Sequence, residues 1–487
     1  KIMYGINTGV GSNRNRIVSE ENRLKYQRDY IMSHCVATGE PLHPEYVRAM
    51  MVLRLNSFVK GHSGITLHLA ERLVYFLNNN IIPQIPKHGS LGASGDLAQL
   101  AHLGAVLIGY HEAEAIYDGK KYNAKELHEV LHIKPLRLQS KEAMALTNGA
   151  TMTLGYATLA IHDLWQLWYL ANLAAALNLE SIRGEMNAFD ARIQKARNNE
   201  CQEAVALVVR RLLKGSKRVT KEAQNVCFFH ENASNCTELC TQPRVQDAYS
   251  TRCIPQMHGA AYEAIFNAKK SIENELNAAT DNPLIFQNDD RRYDILSGGN
   301  FHGDPLAIPI DTMCIVAAKL ANASNARLFR LINKQYSFGL PQDLAGNTKE
   351  QTTGFMIAQY SAASNCMRAA MLSMPASVLT VVSSGMQEDI VSNSANGAWK
   401  LSKAVTALKD VLAIELLCLC QAVDLSAEKL GPELSQMGEG TAILYAHIRK
   451  KVSFSVGDRY LAGDINRVRK IIDCGSLYRK MSAFLKN

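Results

Sequence analysis

Ser90–Gly104 reads SLGASGDLAQLAHLG, in which three small residues, Ala93, Ser94 and Gly95, stand in a row ahead of Asp96 and an apolar run. Three readings fit a serine in that place. A hydrolase nucleophile sits on a G-x-S-x-G elbow, but Asp96 occupies the position of the second glycine. A Ser or Asp ahead of an apolar periodic run also caps a helix, which requires no chemistry. The third reading is that the three residues react with one another. Small side chains let the backbone fold tightly on itself, and glycine tolerates the strained geometry.

Five further loops carry more Gly, Asn and Gln than a connector needs. They are YGINTGVG (Tyr4–Gly11), LTNGAT (Leu146–Thr151), QDAYSTRC (Gln246–Cys253), LSGGNFHGDP (Leu296–Pro305) and MQEDIVS (Met386–Ser392). Any one of them alone reads as a surface loop. Together they hold two tyrosines, an arginine, a glutamate and several amides, with no obvious metal set. Tyr249 and Arg252 are spaced i, i+3, so one helical turn would present both.

With these loops in this order, the chain resembles the histidine, phenylalanine and tyrosine ammonia-lyases and their aminomutase relatives. The resemblance runs from Tyr4 to the QEDIVS loop, about four fifths of the chain. GASGDL followed by an apolar run is its most specific mark, and QDAYSTRC and GGNFHG come close. It implies that Ala93, Ser94 and Gly95 cyclise. The Gly95 nitrogen would attack the Ala93 carbonyl, two waters would leave, and loss of the Ser94 hydroxyl would create an exocyclic methylene. The product, 4-methylidene-imidazole-5-one (MIO), is made from the chain itself, with no external cofactor and no metal. Such an electrophile answers a real difficulty: the β-hydrogen of an amino acid is barely acidic, and its amine leaves poorly.

The resemblance also assigns roles. Tyr4 is the base for the β-proton. A phenol must first lose its own proton, so positive charge or donors must lie near it. Tyr249 assists as an acid or hydrogen-bond partner, and Arg252 holds the substrate carboxylate with its planar fork. Asn148 and Gln246 match amides that orient the MIO and the substrate, and Asn300 and Phe301 match the loop beneath it. Outside these motifs, Arg252 would read as a surface ion pair and the amides as turn formers.

Two places bear on the substrate. Glu388 stands where histidine ammonia-lyases carry glutamate and the phenylalanine and tyrosine enzymes carry glutamine. A carboxylate suits an imidazole or a protonated amine. TGFMIAQYS (Thr353–Ser361) reads nearer to the histidine branch, with Met356 as a pocket wall. In SHCVATGEP, an ungapped match puts Cys35 and Val36 at the selectivity pair, where histidine enzymes have Ser-His. Ser33-His34 falls two residues earlier, about 200° around a helix, so His34 is expected to point away from the pocket. The implied reaction is L-histidine to urocanate and ammonia. The alternatives are a phenylalanine or tyrosine ammonia-lyase, a 2,3-aminomutase, or an inactive scaffold of the same fold.

These loops need rigid elements to hold them. Ala261–Ala279, Asp311–Lys334 and Leu401–Leu430 repeat apolar residues at three- and four-residue intervals on more than one face, as buried bundle helices do. The first part of the chain is less regular, with one weak β signal in AEAIYDGKKYNA and a turn at Asp118-Gly119. The expected architecture is mainly α: a mixed, mostly helical N-terminal lobe (1–145) that carries the reactive tripeptide, then a long-helix body (146–487). The resemblance implies a homotetramer in which each site takes residues from three chains.

Composition agrees with such a protein. Of 487 residues, 47% are apolar and 20% charged, which excludes a disordered chain. A net charge of +8 from 53 basic and 45 acidic residues, with no dense Lys/Arg run, argues against a nucleic-acid partner. Leu164–Leu179 falls short of the roughly 20 apolar residues of a membrane span. Eleven scattered cysteines suggest reduced thiols and a cytoplasmic location. Cys227, His230, Cys236 and Cys240 cluster without the spacing of a zinc module. Asn232 opens a glycosylation sequon by pattern alone. Met367, Met371 and Met374 are expected to fill core. The opening KIMYGINTG has no signal-peptide pattern, and what precedes Lys1 stays open.

Overall fold

The computed structural model describes residues 2–229, 244–347 and 352–486. Helix dominates, and the strands are segments of two to four residues. The chain divides into two compact units, each assembled from three stretches. The first is Lys1–Ile161, Asn267–Thr312 and Pro375–Ser402; the second is His162–Phe266, Met313–Met374 and Lys403–Asn487. This differs from a single boundary at residue 145. Four of the five unit boundaries fall inside the helices Thr151–Ile182, Ile254–Leu276, Asp304–Ile332 and Ser394–Leu434, and the fifth lies just past Met356–Leu372. No linker marks such a boundary, so nothing in local composition reveals it.

In the first unit, short helices pack around Ile31, Met50, Met51, Leu73, Phe76 and Leu100, all fully buried. The helix Pro44–Val59 buries Val47, Met50, Met51, Arg54, Ser57 and Phe58, a three- and four-spaced stripe with an arginine at a core position. Glu142–Thr147 is a six-residue helix buried along its whole length. The weak β signal proves to be a hairpin in which Glu114–Tyr117 pairs with Lys120–Asn123. Asp118 and Gly119 take φ values of 49° and 72°, as a two-residue turn between twisted strands requires.

The second unit is built from long helices rich in Ala and Leu. Within Ser394–Leu434, every residue from Leu412 to Leu419 is at most 1% exposed. Glu415 sits in the middle of that run and is held by Arg327, with Nε to Oε1 at 2.7 Å and Nη2 to Oε2 at 3.1 Å. Helix Asp304–Ile332 is long and apolar enough to cross a membrane, but 67% of its most apolar window is buried inside the protein. Leu164–Leu179 lies within Thr151–Ile182, and Leu164, Leu167, Leu170 and Leu173 are buried.

One expectation fails here. Met367, Met371 and Met374 do not fill core: they are 68%, 72% and 64% exposed. With Tyr360 they form an apolar stripe along and just beyond helix Met356–Leu372. Helical spacing identifies a shared face but not what covers it. Of the Cys/His cluster, only Cys227 is among the described residues; His230, Cys236, Cys240 and the sequon at Asn232 lie outside them. Among the described residues no group of His, Cys, Asp and Glu is arranged to hold a metal.

Candidate active site

Ser94 does not cap the helix that follows it. Ser90 does that work at a distance: its hydroxyl accepts from the Ala98 N–H at 3.2 Å and donates to Gln99 Oε1 at 2.6 Å. Asp96, at the N-cap position of Leu97–Leu107, makes no side-chain cap either. Its buried carboxylate instead accepts from the Thr153 N–H and Oγ1, both at 2.8 Å. Burial pushes that carboxyl up to about 6, against these hydrogen bonds and the charge of Arg54. Ser94 is thus left free to face a cavity of about 380 Å³.

The tripeptide is held backbone to backbone. Gly95 bridges Gly149 in parallel: the Gly149 N–H donates to the Ser94 carbonyl at 3.1 Å, and the Asp96 N–H donates to the Gly149 carbonyl at 2.9 Å. Asn148 Nδ2 donates to the same Ser94 carbonyl at 3.2 Å. That oxygen therefore accepts two N–H groups. Gly95 has φ 81°, and a Cβ there would lie 2.1 Å from the Gly149 carbonyl carbon, so only glycine fits. Upstream, Gly92 offers its carbonyl to the Gly303 N–H at 2.9 Å and to Ser392 Oγ at 3.0 Å. These contacts draw together segments from four of the sequence motifs.

Around the cavity stand Tyr4, Arg14, Ser94, Asn148, Phe301 and Glu388, and all of its lining belongs to the first unit. Tyr4 Oη accepts from the Gly11 N–H at 3.1 Å. Arg14, whose Nη1 donates to Gln387 Oε1 at 3.0 Å, brings a positive charge to the same wall. The Ser94 hydroxyl donates to Glu388 Oε1 at 3.0 Å.

At the selectivity pair the structure departs from the sequence reading. Val36 is 61% exposed, and neither it nor Cys35 lines the cavity. Burial pushes the Cys35 thiol up to about 12. His34 is the last residue of helix Arg23–His34, and Cys35 leaves helical geometry at φ −76°, ψ 68°. A helical rotation carried past that point therefore says nothing about direction. The His34 ring stacks on Tyr30 at 4.0 Å between centroids. Burial lowers its pKa, while the Tyr30 carbonyl and the Glu388 carboxylate pull it upward. His34 thus lies within electrostatic reach of Glu388.

The remaining residues are distributed as follows. Asn300 is exposed and donates to the Ala279 carbonyl at 3.2 Å, anchoring the loop on which Phe301 reaches the cavity. Gln246, Tyr249, Arg252 and Met356 belong to the second unit. There Tyr249 and Arg252 share one helical turn, with the guanidinium carbon 4.6 Å from the ring centroid. Tyr249 is 70% exposed, Gln246 is exposed and Met356 is partly so.

Sequence reasoning overlooked several residues that matter to this arrangement. Arg14 and His302 line the cavity, and His302 Nδ1 lies 3.4 Å from Asp304. Asn282 also lines it and ties down the Ser297–Gly298 turn, accepting from the Gly298 N–H at 2.7 Å. His302 carried a signal, since it immediately follows Phe301 within a recognised motif. So did Arg54, a charge set on an apolar stripe.

Residues 1–450 match the model of a family described as aromatic amino acid lyase. A histidine ammonia-lyase of Alkaliphilus oremlandii (strain OhILAs) is 41% identical over 477 residues, covering 98% of this chain and 88% of that protein. Among solved structures, histidine ammonia-lyase from Trypanosoma cruzi has a TM-score of 0.85 at 31% identity, covering 99% of this chain and 85% of that one. Tyrosine aminomutase from Streptomyces globisporus has a TM-score of 0.88 at 30% identity, covering 99% and 89%.

Proposed function

We propose, from the premise that the chain belongs to the aromatic amino acid lyase family, that it eliminates ammonia from L-histidine to give urocanate. The observation that carries this reading is Ser94: its carbonyl is held by two N–H donors while its hydroxyl faces a cavity walled by Tyr4 and Glu388. The residues present fit an MIO group. Gly95 sits where no Cβ is possible, and Asn148 and Gly149 donate to the carbonyl that would become the ring's own. When formed from Ala93, Ser94 and Gly95, that group supplies an electrophilic methylene that makes the substrate amine a better leaving group.

The chain's own residues do the rest. Tyr4 takes the β-proton; its oxygen accepts from the Gly11 N–H, and Arg14 stands on the same cavity wall. Donors fixed on the Ser94 carbonyl favour negative charge there. Glu388, with His34 in its field, suits an imidazole side chain. Phe301 supports the cavity, and Asn300 positions it through the loop. Arg252 holds the carboxylate, Tyr249 acts beside the reacting carbon, and Gln246 and Met356 complete the substrate contacts.

We further infer a cytoplasmic homotetramer whose sites combine residues of three chains. The exposed apolar stripe of Tyr360, Met367, Met371 and Met374 supports the assembly, as does the exposure of Tyr249 and Gln246, which carry site motifs.

Incubation with each natural amino acid, recording ammonia and product, tests the substrate. Histidine should release ammonia and urocanate. Release from phenylalanine alone would overturn the substrate, and a β-amino acid product would identify a mutase. Intact mass tests the electrophile: the mature chain should be two waters lighter than its sequence, and a full-mass chain would refute it.

A further inference from the structure

Arg54 is wholly buried in the first unit, on the core stripe of Pro44–Val59. An apolar side chain of similar size would fill that space without the cost of stripping water from a charge. What the guanidinium adds is its donors. Nη1 donates to the carbonyl of Asn148, and Nη2 donates to Ser57 Oγ at 2.9 Å and to Thr280 Oγ1 at 3.1 Å. One planar fork thus joins three segments: its own helix, the loop at Thr280, and the turn that faces the reactive tripeptide.

That turn has little freedom. Gly149 lies between Gly95 on one side and Thr280 with Arg54 on the other; a Cβ on Gly149 would meet the Thr280 carbonyl oxygen at 2.4 Å and Arg54 Nη1 at 2.9 Å. The helix Glu142–Thr147 that leads into it is also pinned at its start. Lys141 Nζ donates to the Ser63 carbonyl at 2.7 Å and to Asp281 Oδ2 at 3.0 Å. Glu142 accepts from the Thr66 N–H at 2.8 Å and the Gln139 N–H at 2.6 Å. With both ends fixed, the donors on the Ser94 carbonyl cannot drift. Arg54 and Lys141 are both buried, and the buried carboxylate of Asp281, with Asp96 for Arg54, opposes the desolvation that lowers their pKa values.

We propose that Arg54 is a positioning residue for ring formation: by clamping the Asn148–Gly149 turn from inside the core, it presses the tripeptide into the geometry in which the Gly95 nitrogen meets the Ala93 carbonyl. The step itself is balanced within the chain, with one N–C bond formed and two waters released. This rests on the MIO reading above.

The test is Arg54→Lys in the full-length protein. Lysine keeps the charge but cannot span three acceptors from one fixed plane. Intact mass is followed at intervals after a pulse of synthesis, alongside circular dichroism and the thermal midpoint. The expected result is a soluble variant with parental helix content in which closure slows at least several-fold. A soluble Arg54→Lys protein that loses two waters as fast and as fully as the parent overturns the proposal. Should that variant be insoluble, Thr280→Val, which removes one acceptor and no charge, takes its place under the same criterion. A parent chain without the mass deficit would instead refute the MIO reading, so the two failures are distinguishable.

Discussion

The contact between the tripeptide and the Asn148–Gly149 turn, in the first unit, contrasts with the run Leu412–Leu419 in the second. In the former, main chain meets main chain and a single added methyl finds a backbone atom 2.1 Å away. In the latter, side chains fill space and six of the eight residues are hydrocarbon. Packing of the second kind tolerates exchange at constant volume and loses stability in proportion to what is removed. Contact of the first kind has no graded response. Chemistry is therefore concentrated where the structure is least forgiving, and stability where it is most so.

The contrast can be broken by substitutions on either side. Ser94→Ala should abolish both ammonia release and the mass deficit while leaving the melting temperature unchanged; residual activity at the parental level would end the division of labour. Tyr4→Phe should keep the mass deficit but lower kcat by about 10²–10⁴-fold, the range for loss of a general base. On the other side, Leu412→Ala should cost about 2–5 kcal/mol of stability by calorimetry, with ring content intact in the folded fraction. The smallest effect concerns pH.

His258, also in the second unit, is fully buried against Asn172 at 2.9 Å, and burial holds its pKa well below the ordinary 6.5. The unfolded chain therefore binds the proton that the folded chain refuses. Stability should fall as pH drops below about 6.5, by at most about 1.4 kcal/mol per pH unit from this one group. Melting curves at pH 7 and pH 5 should show a shallower loss in His258→Gln than in the parent.

Much of the fold was legible because long apolar repeats have few alternatives to a buried helix. The hairpin at Asp118-Gly119 was legible because its turn residues favour positive φ. Four of the five unit boundaries were hidden inside continuous helices. Residues of the site could be named from loops, since loops that serve only as connectors seldom carry Tyr, Arg and Glu among glycines. Direction was harder to read. The helix that was to set the direction of His34 ends at His34 itself, and the methionine stripe of helix Met356–Leu372 was turned inward by a spacing that is the same on either face. Arg54 escaped notice because its partners at Asn148 and Thr280 are distant in the chain.

The paired glycines at 95 and 149 also bear on how such a protein can diversify. A Cβ on Gly95 would strike the Gly149 main chain and one on Gly149 the Thr280 carbonyl and Arg54, so a lineage or a laboratory seeking new substrates gains nothing by sampling there. Glu388, which lines the cavity and meets Ser94 through side chains, is under no comparable restriction, and variation there leaves the main-chain contact of the condensing segment as it was.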